Sequence, residues 1–350
     1  MERYNIGIIG YGAMGQYHHT RIPKPDGISF KTAFDINGEK LIKAKNNGLD
    51  VYSDIDSFLG DENIDAVLVS VPNNSHKEIV IKSLNAGKHV ICEKPVALNS
   101  HELLEMIVCA KENNRIFTVH QNRRMDEDFR IIKKIYDKNM LGDVFRIESR
   151  VQGSRGIADT WRRRKECGGG MLFDWGVHLI DQLLYMLPGK IISVNAEFQY
   201  ISTNEVDDNF RLTMIFDDGI SALVEIGTCN FIMLPIWYMC GREGSAQIDY
   251  WNLEGRIYHL IDNDIKFEDE IPSTLVGPSI TLAPRASDTM EELPLPKAEV
   301  DKGFFYKNFY DVLENNAPLA VTPEQALRVM RVIDTAFESG RLKKTVGCNI

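Results

Sequence analysis

Residues 4–15, YNIGIIGYGAMG, join a short apolar strand to a glycine-rich turn. The spacing Gly10-x-Gly12-x-x-Gly15, between a predicted strand and a predicted helix, is the fingerprint of a dinucleotide-binding βαβ unit. Gly10 permits the tight turn, Gly12 lets a pyrophosphate approach the backbone, and Gly15 lets the helix pack on the strand. The first helical N–H groups then face the phosphate. This stretch predicts an N-terminal Rossmann domain.

The second predicted strand, residues 29–34, ends in an acid. Asp35 follows Gly15 by twenty residues, the position at which a carboxylate accepts hydrogen bonds from the adenosine ribose and repels a 2′-phosphate. The next residues, Ile36 and Asn37, offer no arginine for such a phosphate. We therefore expect the cofactor to be NAD rather than NADP.

Strand and helix patterns continue to alternate up to residue 120. Apolar runs at 64–71, 89–92 and 116–120 predict strands, and helices are predicted at 75–86 and 100–113. This alternation is typical of a parallel open sheet, whose ligands bind at the carboxyl ends of the strands. The predicted cofactor-binding residues are Gly10, Gly12, Ala13, Met14, Gly15, Asp35, Val71, Pro72, Asn73, His76, Glu93, Lys94 and Gln121.

A second informative stretch is GGGMLFDWGVHLIDQ, residues 168–182. Asp174 and His178 are four residues apart, so on an α-helix they share a face, and a carboxylate there can orient an imidazole. An apolar stripe would bury this helix: Leu172, Trp175, Leu179 and Leu183. The alternative is an Asp–His pair on the protein surface, which is the commoner situation.

Composition excludes several classes of protein. A length of 350 residues suits two domains of ~100–200 residues each. The net charge of −10 argues against a nucleic-acid groove, and no apolar run approaches a membrane span of about 20 residues. The first strand begins so early that we expect no signal peptide. The six scattered cysteines form no CxxC pair, which predicts reduced thiols in a cytoplasmic protein. No metal site is predicted.

The second half of the chain has a different organisation. After a boundary near Arg124, a helix is predicted at 128–139 and a half-buried strand at 142–152. An antiparallel meander is predicted from strands at 191–201, 210–216, 220–227, 236–240 and 246–250, with a hairpin turn at residues 217–219. Apolar residues on these strands are assigned to the core or to a subunit interface: Met214, Phe216, Phe231, Met233, Trp237 and Tyr238.

Two segments are predicted as irregular. Residues 153–170 are basic and glycine-rich, and they form either a solvated loop or a loop over the substrate with Trp161 stacked on a sugar. Residues 263–296 are acidic and proline-rich, and they could cap the site or reach a neighbouring subunit. Two helices follow, at 304–315 and from Thr322 to Gly340, the second beginning with a capping box to Gln325.

The motifs GYGAMG, VPNNSH, CEKPVA, QNRR and GGGMLFDWGVHLIDQ, in this order, resemble those of the glucose–fructose oxidoreductase, inositol dehydrogenase and rhizopine-catabolism (Gfo/Idh/MocA) family. The resemblance covers nearly the whole chain. It implies an α/β protein with a Rossmann domain (1–124) and a C-terminal α/β domain (125–350) built on a large, mainly antiparallel open sheet. That sheet would hold a dimer or tetramer together, and a sugar or polyol would bind between the domains.

The resemblance also implies roles for individual residues. Lys94 and His178 would take part in proton transfer and substrate positioning, and Asp174 would position the substrate and the histidine. The predicted substrate-binding residues are Lys94, Asn122, Arg123, Trp161, Arg162, Asp174 and His178. An unperturbed imidazole pKa of ~6.5 favours His178 as the acid/base and Lys94 as the relay, although the lysine could be the principal base.

The expected function is therefore oxidation of a secondary hydroxyl on a sugar, polyol, inositol or glycoside, with hydride transfer to NAD. Two alternatives stay open on the sequence. One is a redox-neutral glycosidase that retains its NAD, and the other is a non-catalytic sugar-sensing regulator. The intact Lys94, Asp174 and His178 argue against the sensor, which needs no proton-transfer groups.

Overall fold

The fold was described from a computed structural model that covers residues 3–262, 273–275, 277–278, 285 and 287–350. The first half alternates strands and helices, as predicted. Its strands are β1 Tyr4–Ile9, β2 Ile28–Phe34, β3 Asp50–Tyr52, β4 Ala66–Val69, β5 His89–Cys92 and β6 Phe117–Val119. Its helices are α1 Ala13–Thr20, α2 Gly38–Asn46, α3 Ile55–Leu59, α4 His76–Asn85 and α5 Ser100–Glu112. The elements α2, β3 and α3 were absent from the prediction.

The first sheet is parallel throughout, with the order β3-β2-β1-β4-β5-β6. The chain builds outward from β1 to β3 and then crosses to β4 on the other side of β1. The carboxyl ends of β1 and β4 therefore diverge at a topological switch point, where open α/β sheets bind their ligands.

Among its described residues, the second half contains the longer strands and four α-helices. Its strands are β7 Val144–Gln152, β8 Ile191–Gln199, β9 Asn209–Phe216, β10 Ser221–Gly227, β11 Trp237–Gly241, β12 Gly244–Ile248, β13 Gly255–Leu260, β14 Ser273–Thr274, β15 Gly277–Pro278, β16 Met290–Leu293 and β17 Val346–Gly347. Its helices are α6 Glu127–Asp137, α7 Val177–Met186, α8 Phe304–Asn315 and α9 Pro323–Leu342. β14 and β15 form a small ribbon.

The second sheet has nine strands in the order β16-β13-β12-β11-β7-β10-β9-β8-β17. It is mainly antiparallel, and the predicted fold class is confirmed. The predicted meander, however, is wrong at one point, because β7 lies between β10 and β11 and pairs with β10 in parallel. A strand that precedes the others in the chain thus lies at the centre of the sheet. Local turn signals cannot indicate this placement.

Residues 290–293 also differ from the prediction. They form β16 on the edge of the second sheet, paired with β13, instead of an irregular excursion. The rest of the predicted excursion lies largely outside the described residues. Of the apolar residues assigned to this half, Met214, Phe216 and Trp237 are buried, whereas Phe231 is 87% exposed.

Helix α9 lies at the junction of the two sheets. It packs against α5 and β6 on one side and against α7 and β8 on the other. The Thr118 hydroxyl donates to the Val321 carbonyl at 2.7 Å just before the helix begins. The predicted capping box between Thr322 and Gln325 is present. The helix runs past Gly340 to Leu342, because Gly340 makes room for the Phe198 ring instead of ending the helix.

Helix α8 returns to the first sheet, although it follows the predicted boundary at Arg124 by almost two hundred residues. Tyr306 and Phe309 are fully buried against Ile6 and Ile8 of β1. The division into two sequence-contiguous domains remains a prediction.

All six cysteines are free thiols. Among the described residues, no helix combines the length and apolarity needed to cross a membrane.

Candidate active site

In the glycine turn after β1, the backbone has free space above it only at Gly12. Gly10 has φ +93°, and a Cβ there would lie 2.5 Å from the Ser70 carbonyl oxygen. A Cβ on Gly15 would lie 2.3 Å from the Gly10 oxygen, so this glycine permits the close helix packing. A Cβ on Gly12 would meet nothing within 4 Å. The free space therefore lies above the N-terminus of α1, where Ala13 and Met14 present the first helical N–H groups.

Asp35 is fixed at the end of β2. Its Oδ2 accepts from the Tyr11 N–H at 2.8 Å, and its Oδ1 accepts from the Asn37 N–H at 2.9 Å. The Lys40 Nζ lies 3.5 Å from Oδ2. This cation offsets part of the repulsion that Asp35 would exert on a 2′-phosphate, and the prediction from Ile36 and Asn37 overlooked it.

The loop after β4 carries polar groups that mostly bind the protein itself. The His76 ring is fully buried between the carbonyl oxygens of Val71 and Pro95, each at 2.9 Å. It ties two strand-end loops together, and the predicted role of His76 in cofactor binding stays a prediction. The Asn73 amide donates to the Gly168 carbonyl at 2.9 Å and links this loop to the glycine run of the second half. Pro72 is exposed and Val71 is half-buried beside Gly10.

Beneath Lys94 lies a buried network centred on Glu93. Its Oε1 binds His18 Nε2 at 2.7 Å and His120 Nδ1 at 2.9 Å. The Tyr306 hydroxyl lies against the other nitrogen of His18. Burial alone would raise the pKa of Glu93, but the two histidines hold that pKa well below its usual range. Burial lowers the pKa of His18 to about 4, so its neutral ring can accept from Tyr306 and donate to Glu93.

The Glu93 carboxylate is enclosed by protein groups, and its side chain is 6% exposed. The predicted role of Glu93 in cofactor binding stays a prediction. His18, Glu93 and His120 are also residue types that hold metals, and their ligand atoms lie within 4.8 Å of one another. The hydrogen-bond distances account for their spacing without an ion.

Lys94 and Asp174 bring the two halves of the chain together. The Lys94 Nζ donates to the Asp174 carbonyl oxygen at 2.8 Å and to its Oδ1 at 3.2 Å. Arg162 Nε lies 3.2 Å from the other carboxylate oxygen. Burial lowers the pKa of Lys94, and the negative charges of Asp174 and Glu93 oppose that change. The carboxyl pKa of Asp174 is lowered because the two cations outweigh its burial.

The helix carrying Asp174 departs from the prediction. Residues Leu172–Gly176 form a π-helical turn, and α7 begins only at Val177. Among the described residues no hydrogen bond joins Asp174 to His178, and the carboxylate binds Lys94 and Arg162 instead; an orienting role for Asp174 stays a prediction. The wider turn replaces the α-helical spacing on which that idea depended, and such π turns are frequent at functional sites.

An aspartate that the sequence reading missed holds the start of this turn. The Leu172 N–H donates to Asp207 Oδ2 at 2.7 Å, and the Met171 N–H donates to the Asp207 carbonyl at 2.9 Å. A Cβ on Gly170 would lie 2.3 Å from Asp207 Oδ1. Burial raises the pKa of Asp207 to about 7. The only signal in the sequence was an acidic pair, Asp207-Asp208, directly before a strand.

His178 is buried close to Lys94, and its Nδ1 has no hydrogen-bond partner among the described residues. Burial lowers the pKa of His178 well below its ordinary value, and the charges of Lys94 and Arg123 lower it further. The prediction of a near-ordinary imidazole pKa is therefore wrong. At neutral pH this ring is uncharged and offers a hydrogen bond instead of a charge.

A third group of side chains lies at the end of β6. The Arg123 guanidinium lies 4.0 Å from the centre of the Trp175 ring and donates to Asp126 at 2.7 Å. The Gln182 amide donates to the Arg123 carbonyl at 2.7 Å, a contact not predicted. Gln121 is buried with no partner for its Oε1 among the described residues, and Asn122 begins a partly exposed 3₁₀ turn.

A cavity of about 650 Å³ opens beside Asp174. Its walls come from the end of β7, the following loop, the π turn and β10, and Arg162, Trp175 and Tyr250 line it. Trp161, predicted to stack on a sugar, does not line this cavity and instead packs under Arg162, 4.7 Å from its guanidinium. Trp175 and Tyr250 provide the aromatic surfaces. Trp175 was predicted only as part of the apolar stripe that buries the helix, and Tyr250 was not singled out.

Comparisons with known proteins agree with this architecture. Residues 4–121 match the model of an oxidoreductase family with an NAD-binding Rossmann fold, and residues 129–247 match the GFO/IDH/MocA C-terminal domain. The crystal structure of an NAD-binding protein from Listeria innocua is 41% identical, with a TM-score of 0.88, and covers 99% of this chain and 97% of its own.

Two curated relatives differ in their reactions. The Bacillus subtilis scyllo-inositol 2-dehydrogenase (NADP(+)) IolW is 27% identical over 99% of this chain and 96% of its own length. The 2,7-anhydro-N-acetylneuraminate hydratase of Mediterraneibacter gnavus is also 27% identical, over 77% of this chain and 75% of its own. The two family models together span most of the chain, and their order matches the two sheets of the fold. The chain therefore belongs to the Gfo/Idh/MocA family of oxidoreductases.

Proposed function

We propose that the protein oxidises a secondary hydroxyl of a sugar, polyol, inositol or glycoside with NAD as the hydride acceptor. The observation that carries this proposal is the Lys94–Asp174 contact, which joins the carboxyl end of β5 to the wall of the cavity. A largely buried amine at the meeting point of a dinucleotide fold and a cavity is suited to move a proton. The Bacillus subtilis relative, named as an inositol dehydrogenase, supports the substrate class.

The glycine turn fits a dinucleotide. The open space above Gly12 is backed by N–H groups of α1 that have no side-chain cap, which suits a pyrophosphate. Asp35 can still accept hydrogen bonds from ribose hydroxyls, since each carboxylate oxygen has more than one acceptor site. When bound, NAD supplies the acceptor for the hydride.

We propose Lys94 as the group that exchanges the proton. A neutral Lys94 amine accepts the hydroxyl proton as the alcohol becomes a ketone, and burial favours that neutral form. Asp174 holds the amine in place and Arg162 balances the carboxylate. His178, uncharged and with a free ring nitrogen, positions the hydroxyl by a hydrogen bond.

The cofactor preference follows from two opposing groups. Asp35 disfavours a 2′-phosphate, whereas Lys40 beside it would attract one. We propose NAD as the preferred cofactor because Asp35 is buried and fixed, while the Lys40 side chain is 46% exposed and screened by water. The name of the Bacillus subtilis relative, which specifies NADP, makes a direct comparison of the two cofactors necessary.

The test is a screen of sugars, inositols and glycosides for NADH formation, read by absorbance. Net NADH with at least one of these substrates, lost in Lys94→Ala, is the expected result. Release or rearrangement of a sugar without NADH would overturn the dehydrogenase. It would instead support a redox-neutral reaction with retained NAD, the second candidate, which the hydratase relative favours.

A non-catalytic sensor on the same fold would have no use for a buried lysine paired with an aspartate, so we do not favour it.

We further propose a cytoplasmic homo-oligomer, a dimer or tetramer, that associates through the second sheet. One face of that sheet carries an ion ladder in which Arg150 binds both Glu148 and Glu225. Sedimentation velocity would test the association, and a monomer at micromolar concentration would contradict it.

A further inference from the structure

The cavity beside Asp174 has an excess of positive charge. Within the part of the chain that the structure describes, its lining contains two arginines, Arg155 and Arg162, and a single acid, Asp174. Asp174 is already shared between Arg162 at 3.2 Å and Lys94 at 3.2 Å. One carboxylate thus serves two cations, and no acid among the described residues of the lining is left to balance Arg155.

Arg155 has no hydrogen bond or ion pair within the part of the chain that the structure describes, and its side chain is exposed. A cation in this position can bind an incoming group without first breaking a contact inside the protein. Arg162, in contrast, would have to leave Asp174. Arg155 is therefore the residue on this wall that is free to receive a ligand.

The backbone around Arg155 is held in place. The Gly153 N–H donates to the Gly227 carbonyl at 2.7 Å, and the Gly156 N–H donates to the Thr228 carbonyl at 2.9 Å. Both acceptors lie at the end of β10, so the segment bearing Arg155 is fastened to the sheet on either side. Fixing the segment lowers the entropy lost when the guanidinium binds an anion.

The charge on this wall contrasts with the rest of the molecule. The chain carries a net charge of −10, yet Arg162 is followed in the same loop by Arg163, Arg164 and Lys165. The remaining walls include apolar surfaces from Trp175 and Tyr250, which suit the carbon face of a sugar ring. A site of this kind favours a polyol that is apolar on one face and negatively charged at one end.

We propose that the substrate is an anionic sugar or polyol, carrying a carboxylate or a phosphate, and that Arg155 holds this anion. The proposal rests on the proposed function and adds the class of substrate. A guanidinium binds either anion through two parallel N–H donors, so the shared chemistry is an oxyanion at the end of the polyol remote from the oxidised carbon.

The experiment compares a neutral sugar with its uronic acid and with its 6-phosphate, in the wild type, Arg155→Gln and Arg164→Gln. Arg164 is exposed in the same loop as Arg162 but does not line the cavity, so it is a matched control. Initial rates of NADH formation give kcat and KM. Calorimetry in the presence of NAD gives binding independently of turnover.

We expect one of the two anionic compounds to have a much lower KM than the neutral sugar. In Arg155→Gln that KM should rise roughly 10–100-fold, the loss of one charge-assisted contact, while kcat stays within about twofold. The neutral sugar should be unaffected, and Arg164→Gln should resemble the wild type. The compound that responds identifies the anion as carboxylate or phosphate.

Two results would overturn the inference. One is a preference for the neutral sugar, and the other is an equal effect of Arg155→Gln on neutral and anionic compounds. If no compound yields NADH, the proposed function fails. Calorimetry then still tests whether Arg155 binds an anionic compound. Binding of the uronic acid or the phosphate that depends on Arg155 supports anion recognition, and its absence contradicts it.

Discussion

The Lys94 amine lies 2.8 Å from the main-chain oxygen of Asp174 and 3.2 Å from its carboxylate. The two residues lie in different halves of the chain: Lys94 follows β5, and Asp174 lies on the π turn. Their contact places a largely buried amine between a dinucleotide fold and a cavity. The contact also affects how the two groups titrate, because Asp174 raises the pKa of Lys94 and Lys94 lowers the pKa of Asp174.

Removing the Asp174 charge should move the pH profile in a defined direction. Asp174 raises the pKa of Lys94 against the effect of burial, so in Asp174→Asn that pKa falls further. Oxidation requires the neutral amine, and its rate rises as pH increases through this pKa. The acid limb of kcat/KM should therefore shift to lower pH by about 1 unit or more. The exposed Glu166 provides the control Glu166→Gln, which should leave the limb in place. A shift to higher pH would contradict the assignment.

His178 should act without changing its charge. Because burial and neighbouring cations hold its pKa well below the ordinary value, no limb of the profile near pH ~6.5 should belong to it. His178→Gln, which retains a hydrogen-bonding side chain, should keep more activity than His178→Ala, with the acid limb unchanged in both. Steady-state rates across pH test this expectation, and the disappearance of the limb in His178→Gln would make the histidine the principal base.

Cofactor choice should depend on Asp35 and Lys40 in opposite senses. Asp35→Asn keeps an acceptor for the Tyr11 N–H but removes the charge, so KM for NADP should fall several-fold. Lys40→Ala should raise KM for NADP and leave KM for NAD nearly constant. The comparison is made with NAD and NADP titrations at one substrate concentration. Equal responses to both cofactors in Asp35→Asn would argue against the ribose contact.

The buried network beneath Lys94 should contribute to stability through Tyr306. Tyr306→Phe removes the hydroxyl that binds His18 and leaves a buried ring nitrogen without a partner, at a cost of about 1–3 kcal/mol. Tyr310 on the same helix is only partly buried, and Tyr310→Phe is the matched control. Urea unfolding measures both. Similar stability in the two variants would show that the hydroxyl contact adds little.

Asp207 should make stability depend on pH. Its folded pKa of about 7 lies above the ordinary value of ~3.9, so the folded state binds the proton more tightly. Protonated Asp207 adds a few kcal/mol to the free energy of unfolding. This contribution is complete below about pH 4 and is lost as the pH rises through 7. Asp207→Asn should flatten this part of the curve and still accept from the Leu172 N–H. Thermal unfolding across pH tests it, with the exposed Asp159→Asn as the control. An unchanged curve in Asp207→Asn would contradict the raised pKa.

The sequence was sufficient where the signal was local. The glycine turn, Asp35, five of the six strands of the first sheet and the capping box at Thr322 all depend on residues close together in the chain, and the structure contains them. The three-residue strand β3 was not predicted. The central placement of β7 depends on pairing with β10, some seventy residues later, and no local pattern encodes that partner. His76 and Glu93 were correctly placed at strand ends, but their burial and partners come from tertiary packing.

The site shows the same limit. Lys94 and Asp174 meet, yet the pairing of Asp174 with Lys94 instead of His178 depends on a π turn that Asp207 stabilises. The low pKa of His178 likewise follows from burial, which periodicity alone does not quantify. Residue types therefore indicated the chemistry, while their partners and protonation states required the fold.

The most direct test of the central claim is the turnover of Lys94→Ala with the best substrate from the screen, measured beside NAD affinity. We expect a fall in kcat of at least about 100-fold, the usual contribution of a general base, while the Kd for NAD stays within a few-fold. Added small primary amines should restore part of the rate. Turnover close to that of the wild type, with NAD still bound, would contradict the assignment of Lys94 as the group that takes the proton.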